Sequence, residues 1–176
     1  MESPNTEIDV LVERWSRMPG AKVGRGPLHP RAPDASVEPR LRKFLDAYPR
    51  AGLDAGYVEF QEKYAGAIVQ DPGEARILDI FGFDDASTGM LELEGPIVDE
   101  DGFLIFAQCI YYPDGGVLQM HEHDFAFSVS DDRPAGVYRH QSTLDRKVPG
   151  FSRYADDFAA WLRDLLDHDG WYEPPA

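Results

Sequence analysis

Apolar residues recur at helical spacing in four parts of the chain. In each part they fall three or four positions apart, which places them along one side of an α-helix. The predicted helices lie at about 6–18, between Ser36 and Pro49, from Tyr57 to Gly66, and around 154–166. Asn5 or Thr6 is expected to cap the first helix, and Ser152 or Asp156 the last. Gly66 suits the left-handed position that follows a helix.

Between residues 76 and 140 the pattern changes to short runs rich in β-branched and aromatic residues, separated by Gly, Asp and Pro clusters. The predicted strands are 77–81, 89–93, 103–109, 117–121, 124–129 and 136–140. Turn sequences such as D-E-D-G and D-D-R-P join them, and short connections favour antiparallel pairing. The order predicts an α+β fold: a mainly antiparallel sheet of about six strands, with N-terminal helices and a C-terminal helix packed on it.

The segment 19–39 is rich in Pro, Gly and Arg and poor in apolar residues, which is typical of a linker. The first helix is therefore expected to be an appendage. On this interpretation residues 1–35 form an N-terminal helix with its linker, and residues 36–172 form a single α+β domain.

Charge is distributed unevenly along the chain. There are 17 Lys and Arg against 32 Asp and Glu, a net charge of −15, which argues against nucleic acid or an anionic membrane as a partner. Between Arg76 and Arg133 there is no Lys or Arg, while thirteen acidic residues occur. A field of one sign can steer a basic protein partner, although a solubilising surface is the alternative. The candidate partner-binding acids lie at predicted turns: Asp84, Asp85, Asp99, Glu100, Asp101, Asp114, Asp131 and Asp132.

Cys109 is the only cysteine, which excludes an internal disulfide and a cysteine-cluster metal site. Its expected role is that of a small buried hydrophobic residue. The N-terminal sequence has no basic stretch before an apolar core, and no run approaches the eighteen apolar residues that a membrane helix needs. The cytoplasm is the expected location, with no membrane partner.

His121 and His123 form the one motif that suggests metal chemistry, because residues two apart in a strand point to the same side. Gly115 lies six positions before His121, as in the first metal-binding motif of cupins, but the glutamate that a cupin requires is replaced by Phe127 and Ser128. A cupin-like metal-dependent enzyme using these histidines is one alternative. The other is that both flank a hairpin tip as half-exposed residues. Common hydrolase, kinase and metalloprotease motifs are absent, so a non-enzymatic protein without a cofactor or metal is expected.

Several segments together resemble the SUKH superfamily of bacterial immunity proteins and eukaryotic cell-wall-regulator relatives. They are LRKFLDAYPRAGLDAGYVEFQEKYAG, ILDIFGF, FLIFAQ, FAFSVSDDRPAGVYRH and ADDFAAWLRDLL, and the resemblance spans residues 37–168. It implies a sheet-and-helix domain that neutralises a toxin, often a nuclease, and such toxins tend to be basic because they grip phosphates. A regulatory scaffold of the same fold is the further alternative.

Overall fold

The computed structural model describes residues 5–24, 41–42, 45–47, 49, 54–71, 76–82, 97–98, 100–111, 121–143, 146–147 and 150–168. The helices with complete bounds are α1, Glu7–Ser16; α2, Ala55–Tyr64; and α3, Phe158–Asp167, and residues 41–42 and 45–47 are also helical. The strands are β1, Ala21–Val23; β2, Ala67–Asp71; β3, Arg76–Ile80; β4, Ile97–Val98; β5, Phe103–Tyr111; β6, His121–Ser128; β7, Val137–Thr143; β8, Arg146–Lys147; and β9, Ser152–Ala155.

All nine described strands belong to one antiparallel sheet. Seven of them follow the order β1-β2-β3-β5-β6-β7-β8, while β4 pairs with β5 and β9 pairs with β7. The predicted α+β class is therefore confirmed. The predicted strands 77–81, 103–109 and 136–140 correspond to β3, β5 and β7. The predicted strand 89–93 lies outside the described residues, and β1 and β2 were not predicted.

The core lies between one face of the sheet and the helices. Phe106 and Phe127 from the sheet meet Tyr57 of α2, with ring centroids 5.5 and 4.9 Å from that of Tyr57. Phe106 also packs edge-on against Trp161 of α3 at 4.9 Å. Each of these side chains is buried, and burial of a large apolar side chain stabilises a fold by about 1.5–3 kcal/mol. Aromatic packing thus fixes α2 and α3 on the sheet.

Helix α1 belongs to the same core. Thr6 caps it as predicted, and Ile8, Leu11, Val12 and Trp15 are buried in the main cluster, with Trp15 only 1% exposed. β1, which follows α1, pairs with β2 in the sheet. The expectation that the first helix is an appendage is therefore wrong, because its apolar stripe is buried against the domain. The proposed boundary between residues 35 and 36 lies outside the described residues.

Two predicted helix ends also differ. The left-handed residue after α2 is Ala65, with φ of 57°, and its N–H bonds to the carbonyls of Phe60 and Gln61. Gly66 follows with φ of 129°, a conformation that favours glycine. The residue that caps α3 is Asp157, whose side chain accepts from the N–H of Ala160, and not Ser152 or Asp156.

No helix within the described ranges is long and apolar enough to cross a membrane.

Candidate functional site

Two acidic turns lie side by side at one end of the sheet. The turn before β5 contains Glu100 and Asp101, and the connection from β6 to β7 contains Asp131 and Asp132. The two turns are adjacent because Phe103 pairs with Ser128 at this end of the sheet. The N–H of Val129 also bonds to the carbonyl of Gly102 at 2.9 Å. The structure therefore brings together acids that are some thirty positions apart in the sequence.

All four of these acids are exposed, as expected of turn residues. Their carboxylates therefore face solvent, where a field can act on an approaching molecule. The other four candidate acids, Asp84, Asp85, Asp99 and Asp114, lie outside the described residues. Four of the eight predicted binding residues are thus grouped on one surface, and the position of the others stays a prediction.

A cleft of about 420 Å³ opens at the same end of the sheet, on its helical side. It is bordered by Ser128 at the end of β6 and by Ala135 and Gly136 before β7, so it adjoins the connection that carries Asp131 and Asp132. Five acidic residues line the cleft: Glu7, Asp54, Glu59, Asp156 and Asp157. We call these five residues, together with Glu100, Asp101, Asp131 and Asp132, the acidic end.

Asp54 holds the two helices that form the wall of the cleft. One carboxylate oxygen accepts from the N–H of Tyr57 in α2 at 2.9 Å, and the other accepts from the N–H of Phe158 in α3 at 2.8 Å. Burial raises the pKa of Asp54, the two hydrogen bonds oppose the rise, and the charge of Asp157 adds to it. The Asp54 side chain therefore caps α2 and connects it to α3 by hydrogen bonds.

Basic side chains neutralise part of the cleft. Arg163 pairs with Glu7, Arg153 with Asp156 at 2.7 Å, and Lys63 with Glu59 at 2.7 Å. At the turns, Arg133 donates to the carbonyl of Asp101 at 2.9 Å, so one positive charge lies among the four exposed acids. Three of the five cleft acids are thus paired with basic side chains, whereas Asp54 and Asp157 accept from helix N–H groups.

The two histidines are arranged differently from the predicted hairpin tip. β6 runs without interruption from His121 to Ser128, and His123 is 1% exposed, paired with Cys109 on β5 and Gln141 on β7. The interpretation of His123 as a half-exposed residue beside a turn is therefore wrong. Within the described part of the chain, no group of three or more His, Cys, Asp or Glu side chains is placed to hold a metal ion, and the side chain of His121 is outside that part.

No protein-family model, curated protein or solved structure matches this chain.

The cleft residues were not among the predicted site residues. Glu7, Asp54 and Glu59 come from two helices, and Asp156 and Asp157 from a segment about a hundred positions later. Asp54 and Asp157 carry a signal that could have been found, because an Asp directly before an apolar helical stripe is a typical N-cap. Their convergence on one cleft depends on how the helices pack, which no local pattern reveals.

Proposed function

We propose that this chain is a non-enzymatic protein-binding domain that neutralises a basic, nuclease-type toxin, in the manner of SUKH immunity proteins. The observation that carries the proposal is the acidic end, where two exposed acidic turns adjoin an acid-lined cleft. A nuclease surface that grips phosphates carries Lys and Arg, which are complementary to such a surface. The resemblance of residues 37–168 to the SUKH superfamily supports the same role.

Exposed charges at the edge of an interface act mainly on the rate of association, whereas buried contacts control dissociation. The four turn acids are exposed and cap no described helix, and Asp132 also accepts from the hydroxyl of Ser130, so urea unfolding of the neutralised variant must accompany the binding measurement. The predicted role of these residues is to draw a basic partner toward the cleft.

The test uses a panel of purified basic nuclease toxin domains and a quadruple variant, Glu100→Gln, Asp101→Asn, Asp131→Asn and Asp132→Asn. For a toxin that the wild-type protein inhibits, we expect stopped-flow association to slow by roughly tenfold or more at low ionic strength. The difference should shrink with added salt, because the Debye length falls from about 30 Å at 0.01 M to about 3 Å at 1 M.

A matched control separates the location of the charge from its amount. Glu13→Gln, Asp46→Asn, Glu62→Gln and Asp167→Asn also change four exposed acids, all on helices, and take the net charge from −15 to −11 as the first variant does. The control should associate at nearly the wild-type rate. Equal slowing in both variants, or inhibition of no basic nuclease in the panel, would contradict the proposal.

A further inference from the structure

A row of polar side chains crosses four strands on the face of the sheet opposite the helices. Asp79 on β3 is directly opposite Gln108 on β5, Gln108 is opposite Asp124 on β6, and Asp124 is opposite His140 on β7. The strand neighbours of Asp79 and Asp124, such as Leu78 and Phe125, point into the core. Alternation along a strand therefore places the whole row on the other face.

The centre of the row is a hydrogen-bonded group of two carboxylates, an amide and an imidazole. Nε2 of Gln108 donates to Oε1 of Glu122 at 2.5 Å and to Oδ1 of Asp124 at 3.0 Å. Oδ2 of Asp124 lies 3.5 Å from Nδ1 of His140, and these two side chains are only 15% and 21% exposed. Glu122 and Asp124 therefore share one amide nitrogen as their donor, so Gln108 has no N–H left for a third carboxylate.

Asp79, at the other end of the row, has no such partner. Its Oδ1 is fully enclosed and accepts no hydrogen bond. Its neighbours in register are Ile68 on β2, which has no donor in its side chain, and Gln108, whose Nε2 is already bonded to β6. Asp79 as a whole is half-buried, but enclosing one of its two carboxylate oxygens without a donor disfavours the ionised form, so the protonated form is favoured. Burial accordingly raises the pKa of Asp79 to about 7.

Charged groups elsewhere on the described elements do not offset this burial. Arg133 and Arg153, at the turn end of the sheet, donate to the carbonyls of Asp101 and Ala135. Arg76 and Arg139 stack on the rings of Tyr111 and Tyr154. Along β3 and β7 these two arginines occupy positions of the opposite alternation to Asp79 and His140. On β6, burial raises the pKa of Glu122, and the charge of Asp124 adds to the rise.

We propose that Asp79, at the end of the row that it forms with Gln108, Glu122, Asp124 and His140, makes the stability of the sheet depend on pH. When Asp79 is protonated, its enclosed oxygen carries no charge. When the proton leaves, an enclosed carboxylate oxygen becomes charged beside Gln108, whose amide nitrogen is already bonded to Glu122 and Asp124. The domain is then weakened at its centre, far from the exposed acids of the turns.

The direction of the effect follows from Asp79. The folded state binds the Asp79 proton more tightly than the unfolded chain, in which the pKa of an aspartate has its ordinary value of 3.8. The stability that this proton contributes is fully present below the unfolded pKa of 3.8. It is lost as the pH rises through the folded pKa of about 7. The domain should therefore resist urea better in mildly acidic than in alkaline solution.

The test measures urea unfolding from pH 4 to pH 9 for the wild-type protein, Asp79→Asn and the control Glu62→Gln, which removes one exposed charge from α2. We expect the urea midpoint of Asp79→Asn to exceed that of the wild type by a margin that grows up to about pH 7 and then stays constant. Glu62→Gln should follow the wild type at every pH.

Carbon-13 NMR of the aspartate carboxyl groups provides a second measurement on the unaltered protein, so the proposal is tested even if Asp79→Asn does not fold. The Asp79 signal should titrate close to neutral pH. Titration of the Asp79 signal below pH 5 would overturn the proposal. So would a difference in urea midpoint between Asp79→Asn and the wild type that is the same at all pH values.

Discussion

Asp54 is the side chain whose loss should most clearly affect both folding and the cleft. It accepts from the N–H groups of Tyr57 and Phe158, at 2.9 and 2.8 Å, and so serves α2 and α3 together. An N-cap contributes about 1 kcal/mol, and a hydrogen bond to a charged group about 1.5–3 kcal/mol. Part of this is offset because burial of the carboxylate raises its pKa. We therefore expect Asp54→Ala to lower the free energy of unfolding by about 2–4 kcal/mol.

Two variants make this prediction specific. Asp54→Asn keeps one acceptor oxygen and removes the buried charge, so it should cost about 1 kcal/mol. Asp157→Ala removes a cap that serves α3 alone, through Ala160 at 2.7 Å, and should also cost about 1 kcal/mol. Urea unfolding at pH 7, followed by the fluorescence of the buried Trp15 and Trp161, measures all three. A loss in Asp54→Ala no greater than that in Asp157→Ala would refute the idea that one carboxylate holds both helices.

The remaining predictions concern α1. Trp15→Ala should lower the free energy of unfolding by about 3–5 kcal/mol, because the indole is almost completely buried. Deletion of residues 1–24 should abolish cooperative thermal unfolding. A shortened protein that still melts cooperatively would show that α1 contributes little to stability. Asp9 accepts from Tyr64 at 2.6 Å, from the N–H of Thr6 at 2.9 Å and from Lys63 at 2.9 Å, and these bonds hold its pKa below the ordinary 3.8. The stability that ionised Asp9 contributes is present above pH 3.8 and is lost as the pH falls below the ordinary pKa of 3.8. Asp9→Asn should therefore lower the free energy of unfolding by about 1–3 kcal/mol at pH 7 and by less at pH 3. An equal loss at both pH values in urea titrations would contradict this role of Asp9.

The strands that the sequence revealed are those bounded by clear turn signals. β5 follows D-E-D-G and β7 follows D-D-R-P, and both were predicted. β2, Ala67–Asp71, was missed because only two residues separate it from α2 and no Pro or Asp turn precedes it. β1 is only three residues long and lies inside the segment 19–39, whose Pro and Gly content indicates a linker. Its strand conformation depends on pairing with β2, a contact distant in sequence.

The histidine motif was misjudged because its polarity suggested a turn. Glu122 and Asp124 lie within a strand, where their carboxylates bond to Gln108 on the neighbouring strand, while His123 between them is buried. Polar residues in the middle of a strand are stable when the adjacent strand supplies partners. Gln108 is fourteen positions before Glu122, so the sequence around the motif does not contain the information.

The acids of the acidic end have two separate physical origins, and this decides how its function can be tested. Asp54 and Asp157 cap helices, so folding alone accounts for their presence at this end of the sheet. Glu100, Asp101, Asp131 and Asp132 are exposed in turns and cap no described helix, and Asp is common in turns for reasons of backbone geometry. What turn geometry does not require is that the two turns be adjacent and both negative. A change in association rate that is limited to the variant of these four residues, with unchanged unfolding, would therefore measure their contribution to binding apart from their contribution to the fold.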